Sequence, residues 1–323
     1  MRFPENIPAR DLPEAVTIYE VGARDGLQNE SVVIPVAVKV EFIRRLAGAG
    51  LSIVEATSFV RPEWVPQLAD AEELLDLLPV DLGVDLPVLV PNERGLDRAI
   101  AKGVRHVAVF ASATETFAAR NLNRNLTSQF EMIAPTITRA IESGVRVRAY
   151  ISMCFGDPWE GPVAVQQVVE VGQRLLELGA GQLSLGDTIG VATPGHVHRL
   201  VGAFAAAGTP TSRLAVHFHD TYGQALSNSF AALQSGVRTI DSSAGGLGGC
   251  PYAKSATGNL ATENLVWMLH GMGIQTGVDL KQLVATSVWM AGILGRPSAS
   301  SVVRALAPQL SQSTEDQKAG TCK

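Results

Sequence analysis

The chain has 323 residues, of which 46% are hydrophobic and 18% charged, and it carries a formal net charge of −5 at pH 7. This is an ordinary globular composition, and the scattered Lys and Arg residues argue against a nucleic-acid partner. We also expect no membrane association and a cytoplasmic location, because no apolar run reaches about 18 residues, the N-terminus lacks an export signal, and three cysteines are too few for a disulfide scaffold.

Apolar runs rich in β-branched residues recur along the chain at roughly the spacing of one βα unit, about 32 residues. We predict eight strands, at 15–20, 51–59, 84–91, 106–112, 145–153, 181–187, 214–220 and 237–243. Helical stretches lie between them, for example at 35–50 and 162–181, and each of these two has Pro at its start and Gly at its end.

The alternation of strands and helices predicts an α/β protein with a parallel sheet covered on both faces. Eight units favour closure into a (β/α)8 TIM barrel over a doubly wound open sheet, and no glycine-rich phosphate motif follows the first strand. Residues 255–306 look helical, as the last barrel element and a C-terminal helical extension. We predict one domain over 1–306 and a polar, flexible tail over 307–323.

Reactive side chains collect where the predicted strands end. In a TIM barrel these ends meet at one face, which carries the chemistry. A purely structural barrel has no reason to gather them. The side chains at these ends are Glu20, Arg24, Asp25, Glu55, Thr57, Asn92, Ser112, Thr114, Cys154, Asp187, Thr188, His217, His219, Ser242 and Ser243.

His217 and His219 give the best signal for a metal site. Residues i and i+2 of a strand point to the same face, so both imidazoles aim into the barrel mouth. By contrast, His196 and His198 follow Pro194 on a predicted helix, where such a pair diverges, and we interpret them as surface residues.

A third ligand should come from another strand end, and Asp25 lies in the matching layer after the first strand. Two imidazoles with a carboxylate suit a divalent cation such as Mg²⁺ or Mn²⁺. Arg24 cannot be a ligand, but beside a metal it would stabilise negative charge that develops on a substrate oxygen. A simpler interpretation of Arg24 and Asp25 is a solvated ion pair at an Asp-Gly turn.

A glycine-rich segment, "GGLGGCPYAKSATGN" at 245–259, follows the last predicted strand. Its glycines permit turns or a hinge over the barrel mouth, where Cys250 would act as a mobile acid or base. The simpler interpretation is a glycine-rich loop with an incidental cysteine. We expect Cys154 to be packed near strand five and Cys322 to be an exposed thiol.

Five motifs resemble the hydroxymethylglutaryl-CoA lyase family, in order and at similar spacing. The resemblance covers roughly residues 14–306, and the most discriminating part is "GLGGCPYA", which related synthases on the same barrel lack. The motifs are "VGARDGLQNE" at 21–30, "VEATSFV" at 54–60, "SLGDTIGVATPG" at 184–195, "HFHDTYGQAL" at 217–226 and "GLGGCPYAKSATGNLATE" at 246–263.

The resemblance implies a retro-Claisen cleavage of (S)-3-hydroxy-3-methylglutaryl-CoA into acetyl-CoA and acetoacetate, as in leucine degradation. It implies an acyl-CoA substrate and a homodimer. Arg24 would stabilise the enolate and Cys250 would be the general acid or base, while the base that removes the hydroxyl proton stays open between Asp25, His217 and Glu20. The implied metal ligands are Asp25, His217, His219 and Asn259, and the implied supporting residues are Glu20, Glu55, Asp187 and Glu263.

Two segments depart from the family pattern; the first affects loop stiffness more than chemistry, and the second leaves the acyl group open. Ala23 stands where the family usually has proline, and the loop "SMCFGDPWEGPV" at 152–163, with Asp157 and Trp159, differs from the family's "CPYEG". A lyase for a branched homologue, such as 3-hydroxy-3-isohexenylglutaryl-CoA, would keep every residue implied above. Two further hypotheses are a Claisen-condensing synthase on the same barrel and a non-catalytic barrel that binds acyl-CoA.

Overall fold

A computed structural model describes residues 3–250 and 253–308 of the protein, without the side chains of 250 and 253–257. Its main feature is a parallel, nine-stranded sheet in the order β2-β1-β9-β8-β7-β6-β5-β4-β3. The strands are β1 (Thr17–Glu20), β2 (Ile53–Val54), β3 (Thr57–Ser58), β4 (Val88–Leu89), β5 (His106–Ser112), β6 (Arg146–Ser152), β7 (Gln182–Asp187), β8 (Leu214–Phe218) and β9 (Thr239–Ser242).

The sheet curls back on itself because the two strands at its ends, β2 and β3, belong to one short segment of the chain. β2 pairs with β1 and β3 pairs with β4, although only Glu55 and Ala56 separate β2 from β3. At this break the Glu55 amide donates to Glu20 on one side, and the Ala56 amide donates to Pro87 on the other. The two ends of the sheet order therefore belong to one segment, which makes the fold TIM-barrel-like.

Each predicted strand has a counterpart in the structure, but the second, at 51–59, is split into β2 and β3, and the third is much shorter than expected. Of the predicted strand at 84–91, only Val88–Leu89 forms a regular strand in the structure. Pro87 and Pro91 bracket it, and proline has no N–H to donate to a neighbouring strand.

Helices follow the strands and cover the outside of the sheet. None of those within the described residues is long and apolar enough to cross a lipid bilayer. They are α1 (Val36–Gly48), α2 (Ala71–Leu77), α3 (Glu93–Ala101), α4 (Glu115–Phe117), α5 (Ser128–Glu142), α6 (Val165–Glu177), α7 (Pro194–Ala206), α8 (Ala225–Gln234), α9 (Thr262–Gly271) and α10 (Leu280–Leu294), with a further helix at 301–308.

The prediction that residues 255–306 are helical is wrong at its start. Two short strands, β10 (Gly249–Cys250) and β11 (Ala253–Thr257), pair antiparallel there, and α9 begins only at Thr262. Glycine permits this hairpin, because a Cβ on Gly258 would lie 2.7 Å from the Gly249 amide nitrogen.

Apolar side chains form a large layer between strands and helices and a smaller cluster inside the barrel. Along β1, Ile18 belongs to the outer layer and Tyr19 to the inner cluster, as the alternation of a strand requires. Tyr150 and Leu89 join Tyr19 inside. Much of the remaining interior carries polar and charged groups, which have to be paired there.

Two buried glutamates anchor the start of the glycine-rich segment. Glu20 Oε1 accepts from the amides of Gly22 and Ala244, both at 2.8 Å, and its Oε2 accepts from the Thr262 hydroxyl at 2.6 Å. Glu263 accepts from the Gly245 amide at 2.9 and 3.0 Å. The loops after β1 and β9 are thereby fixed to each other.

The packing of α6 against α7 predicts opposite effects for two glycine-to-alanine changes. In Gly172→Ala the new Cβ would lie 2.6 Å from a Phe204 ring carbon and 2.9 Å from a Leu183 methyl group, so we expect a loss of about 1–3 kcal/mol. The control Gly202→Ala meets no atom within 4 Å, and alanine should stabilise α7 by up to about 1 kcal/mol. Urea unfolding measures both, and equal shifts would contradict the packing argument.

The Glu20 anchor predicts a pH-dependent stability. Burial raises the pKa of Glu20 from 4.5 to about 7, so between these values the folded protein holds a proton that the unfolded chain has released. Its contribution therefore weakens as pH rises, by about 3 kcal/mol between pH 4.5 and 7 and above. In urea unfolding at pH 5 and pH 8, Glu20→Gln should reduce the pH dependence of stability by about this amount, whereas Glu41→Gln on the surface should leave it as in wild type; buried Asp187, whose pKa is raised in the same way, contributes a part that both variants keep. Parallel changes in wild type and Glu20→Gln would argue against the buried proton.

Candidate metal centre and active site

Asp25, His217 and His219 meet at the mouth of the barrel. One ligand atom from each lies within 4.8 Å of the others, close enough to hold a single metal ion. Among the described residues, no other set of three or more histidine, cysteine or carboxylate side chains comes this close together. The sequence prediction that distant strand ends converge here agrees with this geometry.

Asp25 lies in the single helical turn Gly22–Gly26 that follows β1. Its Oδ1 accepts from Arg24 Nη1 and Gln28 Nε2, both at 2.7 Å, and its Oδ2 accepts from Asn259 Nδ2 at 2.7 Å. Burial alone would raise the pKa of Asp25, but the Arg24 guanidinium and the two histidines outweigh burial and lower it to about 2. The carboxylate is therefore charged at neutral pH, as a metal ligand must be.

The two imidazoles come from the end of β8. His217 lies on the strand and His219 one residue beyond it, and their ring centroids are 5.3 Å apart. Burial and the neighbouring His217 lower the pKa of His219 to about 4, so its ring is neutral at pH 7 and has a lone pair to offer.

Asn259 reaches the cluster through backbone pairing. The segment 258–260 runs antiparallel to 218–220, with His219 opposite Asn259 and hydrogen bonds from the Asp220 and Leu260 amides at 2.7 and 3.1 Å. The Asn259 amide nitrogen donates to Asp25 and to the Leu247 carbonyl at 3.1 Å. Its Oδ1 is buried and has no hydrogen-bond partner among the residues that the structure describes.

The donor set fits a divalent cation. Buried polar atoms without a hydrogen-bond partner are costly, and within the described part of the chain Asn259 Oδ1 and His219 Nδ1 are two such atoms. A carboxylate, an amide oxygen and two imidazoles match the preferences of Mg²⁺ or Mn²⁺ better than those of a thiolate-bound metal. These unpartnered buried atoms therefore support the ligand set Asp25, His217, His219 and Asn259.

Arg24 lies beside the cluster and is held from two sides. Its Nε and Nη2 each approach Glu55 Oε2 at 2.7 Å, while Nη1 bonds Asp25. Glu55 is completely buried in the break between β2 and β3 and also accepts from the Tyr150 hydroxyl at 3.0 Å. The solvated ion pair is therefore the wrong interpretation, because Arg24 is only 6% exposed.

The other implied residues lie around the cluster. Asp187, at the end of β7, accepts from the amides of Val191 and Ala192, and burial raises its pKa to about 7. Glu20 and Glu263 anchor the glycine-rich segment, as described above. The side chain of Cys250 lies outside the described residues, and so does Cys322.

The structure agrees with the prediction for Cys154 and with half of the prediction for the second histidine pair. Cys154 is buried just after β6, and burial raises the pKa of its thiol well above the usual range. His196 and His198 lie on α7, where His198 is exposed and its Nδ1 is 3.0 Å from Ser235 Oγ. His196 is half-buried, so the surface interpretation is wrong for this residue.

Sequence reasoning missed a charged pair beneath the histidines. Arg148 on β6 and Asp241 on β9 form a buried ion pair, and Asp241 Oδ2 lies 3.3 Å from His217 Nδ1. A signal was present, because a charged residue at an inward position of an apolar strand, as in "VRVRAY" and "VRTIDSS", needs a partner across the barrel.

The geometry agrees with comparisons to known proteins. The HMGL-like family profile matches residues 15–289. The hydroxymethylglutaryl-CoA lyase of Arabidopsis thaliana, a mitochondrial protein, is 49% identical over 298 residues, which are 92% of this chain and 64% of the relative. The chain therefore spans somewhat less than two thirds of that relative.

Two solved structures are similar over nearly their whole length. The hydroxymethylglutaryl-CoA lyase from Pseudomonas aeruginosa has a TM-score of 0.90 and 45% identity, covering 93% of this chain and 99% of that one. An HMG-CoA lyase from Acinetobacter baumannii, in complex with coenzyme A and 3-methylmalate, has a TM-score of 0.86 and 32% identity, covering 93% and 97%. With the family profile matched over most of its length, the chain belongs to the HMGL-like family.

Proposed function

We propose that this protein cleaves (S)-3-hydroxy-3-methylglutaryl-CoA to acetyl-CoA and acetoacetate. The observation that carries the proposal is the contact between Arg24 and Asp25, which joins a buried guanidinium to a cluster able to hold a divalent cation. The activity named for the relatives is the same carbon–carbon lyase chemistry. The relative bound to coenzyme A supports an acyl-CoA substrate.

Asp25, His217, His219 and Asn259 would hold the cation, Mg²⁺ or Mn²⁺. When bound, such an ion supplies Lewis acidity that lowers the pKa of the substrate hydroxyl. Asp25 contributes a fixed negative charge, and Asn259 contributes a carbonyl oxygen that has no hydrogen-bond partner among the described residues.

Cleavage requires a place for the electrons of the broken bond. A base, Asp25 or His217, takes the proton of the C3 hydroxyl, whose oxygen becomes the ketone of acetoacetate. The C2–C3 bond breaks at the same time, and its electron pair forms the enolate of acetyl-CoA. Arg24 stabilises that negative charge, and Glu55 keeps the guanidinium in place from behind. A proton then reaches the enolate carbon, and we assign its delivery to Cys250.

The supporting acids have structural tasks in this proposal. The oxygens of Glu20 are engaged by two amides and a hydroxyl, so we assign it as an anchor of the glycine-rich segment rather than as the base. Glu263 anchors the same segment through Gly245. Asp187 shapes the loop after β7 through its two amide partners.

We further propose that residues 1–306 form one domain, with α10 as a C-terminal extension of the barrel and residues 307–323 as a tail. The Arg45 guanidinium of α1 lies 4.6 Å from the Trp289 ring centroid of α10, which supports this docking. A homodimer, a cytoplasmic location and a place in leucine degradation complete the proposal.

The proposed function predicts acetyl-CoA release from 3-hydroxy-3-methylglutaryl-CoA in the presence of Mg²⁺ or Mn²⁺. EDTA should abolish release, and either ion should restore it. His219→Ala should lower kcat/KM by at least about 100-fold through loss of a cation ligand. The control His198→Ala changes a histidine on the surface of α7 and should leave turnover unchanged.

A panel of esters and co-substrates separates this function from its competitors. Faster cleavage of 3-hydroxy-3-isohexenylglutaryl-CoA would identify the branched homologue as substrate. Release of free CoA from acetyl-CoA and a 2-oxo acid would identify a synthase. Binding of the esters without release from any of them would exclude a lyase.

The position of Arg24 predicts a defect in catalysis rather than in cation binding. Arg24→Lys keeps a charge but cannot bridge Glu55 and Asp25 with a planar fork, so kcat should fall about 10²- to 10⁴-fold. Steady-state kinetics and Mn²⁺ binding measure the two effects separately. Arg45→Lys, which changes an exposed pair with Glu41, is the control. A normal kcat in Arg24→Lys would remove Arg24 from the reaction.

A further inference from the structure

A buried group of polar side chains lies under His217, and nothing in the proposed reaction uses it yet. Asp241 is its centre and is 1% exposed. The Arg148 guanidinium donates to Asp241 Oδ1, and the Ser184 hydroxyl donates to Oδ2 at 2.9 Å. His217 Nδ1 lies 3.3 Å from the same Oδ2.

The strand register brings these residues together. β6, β7, β8 and β9 are consecutive neighbours in the sheet, and His217 is the direct register partner of Asp241. The Tyr19 ring lies 3.7 Å from the Arg148 guanidinium carbon and the Tyr150 ring 5.0 Å from it. The Arg148 guanidinium thus contacts two aromatic rings, and it presents its charge to Asp241.

This arrangement selects one tautomer of His217. Arginine keeps its charge in proteins, and a carboxylate paired with it can only accept hydrogen bonds. The nitrogen that faces Asp241 must therefore carry the hydrogen, which places it on Nδ1 and leaves the lone pair on Nε2. At 3.3 Å the two atoms are in contact without hydrogen-bond geometry, and within the described residues His217 Nδ1 is a buried polar atom with no hydrogen-bond partner. Hydrogen bonds of unloaded sites are often long or poorly aligned and tighten when the site is filled.

We propose that Asp241 is a positioning residue that holds His217 with its Nε2 lone pair free for the cation, and that Arg148 and Ser184 fix Asp241 for this task. A carboxylate behind a metal-binding histidine orients the ring and raises its basicity, and its loss typically weakens metal binding 10- to 100-fold. The inference rests on the proposed cation site but not on the identity of the acyl group.

A competing explanation is that Arg148 and Asp241 only fill the barrel interior. A buried ion pair is a poor source of stability, because desolvation offsets most of the attraction. A merely structural pair would influence folding but would leave the affinity for the cation and the tautomer of His217 unchanged. These two quantities therefore test the inference.

The first experiment needs no change in the network. In metal-free protein with ¹⁵N-labelled histidine at pH 8, long-range ¹H–¹⁵N spectra report which ring nitrogen carries the hydrogen, and His217→Gln assigns the His217 signals. We expect the hydrogen on Nδ1. A hydrogen on Nε2 would overturn the inference, whether or not the protein binds a cation.

The second experiment measures Mn²⁺ affinity without substrate, from the electron paramagnetic resonance signal of the free ion. Asp241→Asn should raise Kd 10- to 100-fold, because an amide nitrogen facing Nδ1 favours the other tautomer. The double variant Arg148→Met with Asp241→Asn removes both charges and guards against unfolding caused by an unpaired arginine. This double variant should show the same loss of Mn²⁺ affinity as Asp241→Asn.

Asp157→Asn is the matched control. Asp157 is another buried aspartate, 3% exposed, and it accepts from the Thr114 hydroxyl and from backbone amides rather than from a histidine. Its Kd should equal that of wild type. An unchanged Kd in folded Asp241→Asn would overturn the role of Asp241 and leave the lyase proposal standing, whereas a wild-type protein that binds no Mn²⁺ would remove both.

Discussion

The buried Arg24 guanidinium, shared between Glu55 and Asp25, is the interaction on which the site depends. A charge at this depth is tolerated only when it is paired, so the arginine and the two carboxylates fix one another. The pairing keeps Asp25 ionised, and it places the positive charge of Arg24 directly beside the position proposed for a metal ion. One network thus serves both the stability of the barrel mouth and its chemistry.

The same rule accounts for the deeper pair of Arg148 and Asp241. Both are buried inside the barrel, where an apolar side chain would pack at less cost. Asp241 contacts His217, its register partner, and this contact gives the buried pair a role beyond packing. The interior therefore holds two charged groups, Arg24 with its carboxylates and Arg148 with Asp241, and Tyr150 contacts both.

Much of the fold could be predicted from the sequence, because strands and helices of a barrel repeat at a regular spacing. The convergence of Asp25 with His217 and His219 could also be predicted, since strand alternation and parallel strand ends are local rules. The hairpin β10–β11 could not, because a segment rich in glycine has little preference of its own. Asn259 was reached only through a family resemblance, as it contacts Asp25 across 234 positions of the chain.

By itself, the sequence determined the alternation of strands and helices, the family, and the identity of the residues able to bind a cation or carry charge. These follow from local spacing and from side-chain chemistry. Only the tertiary structure decided which of those groups touch. Antiparallel pairing brings Asn259 to His219, and strand register sets Asp241 beside His217. Such contacts depend on how distant segments pack, and burial then forces each charge to find a partner.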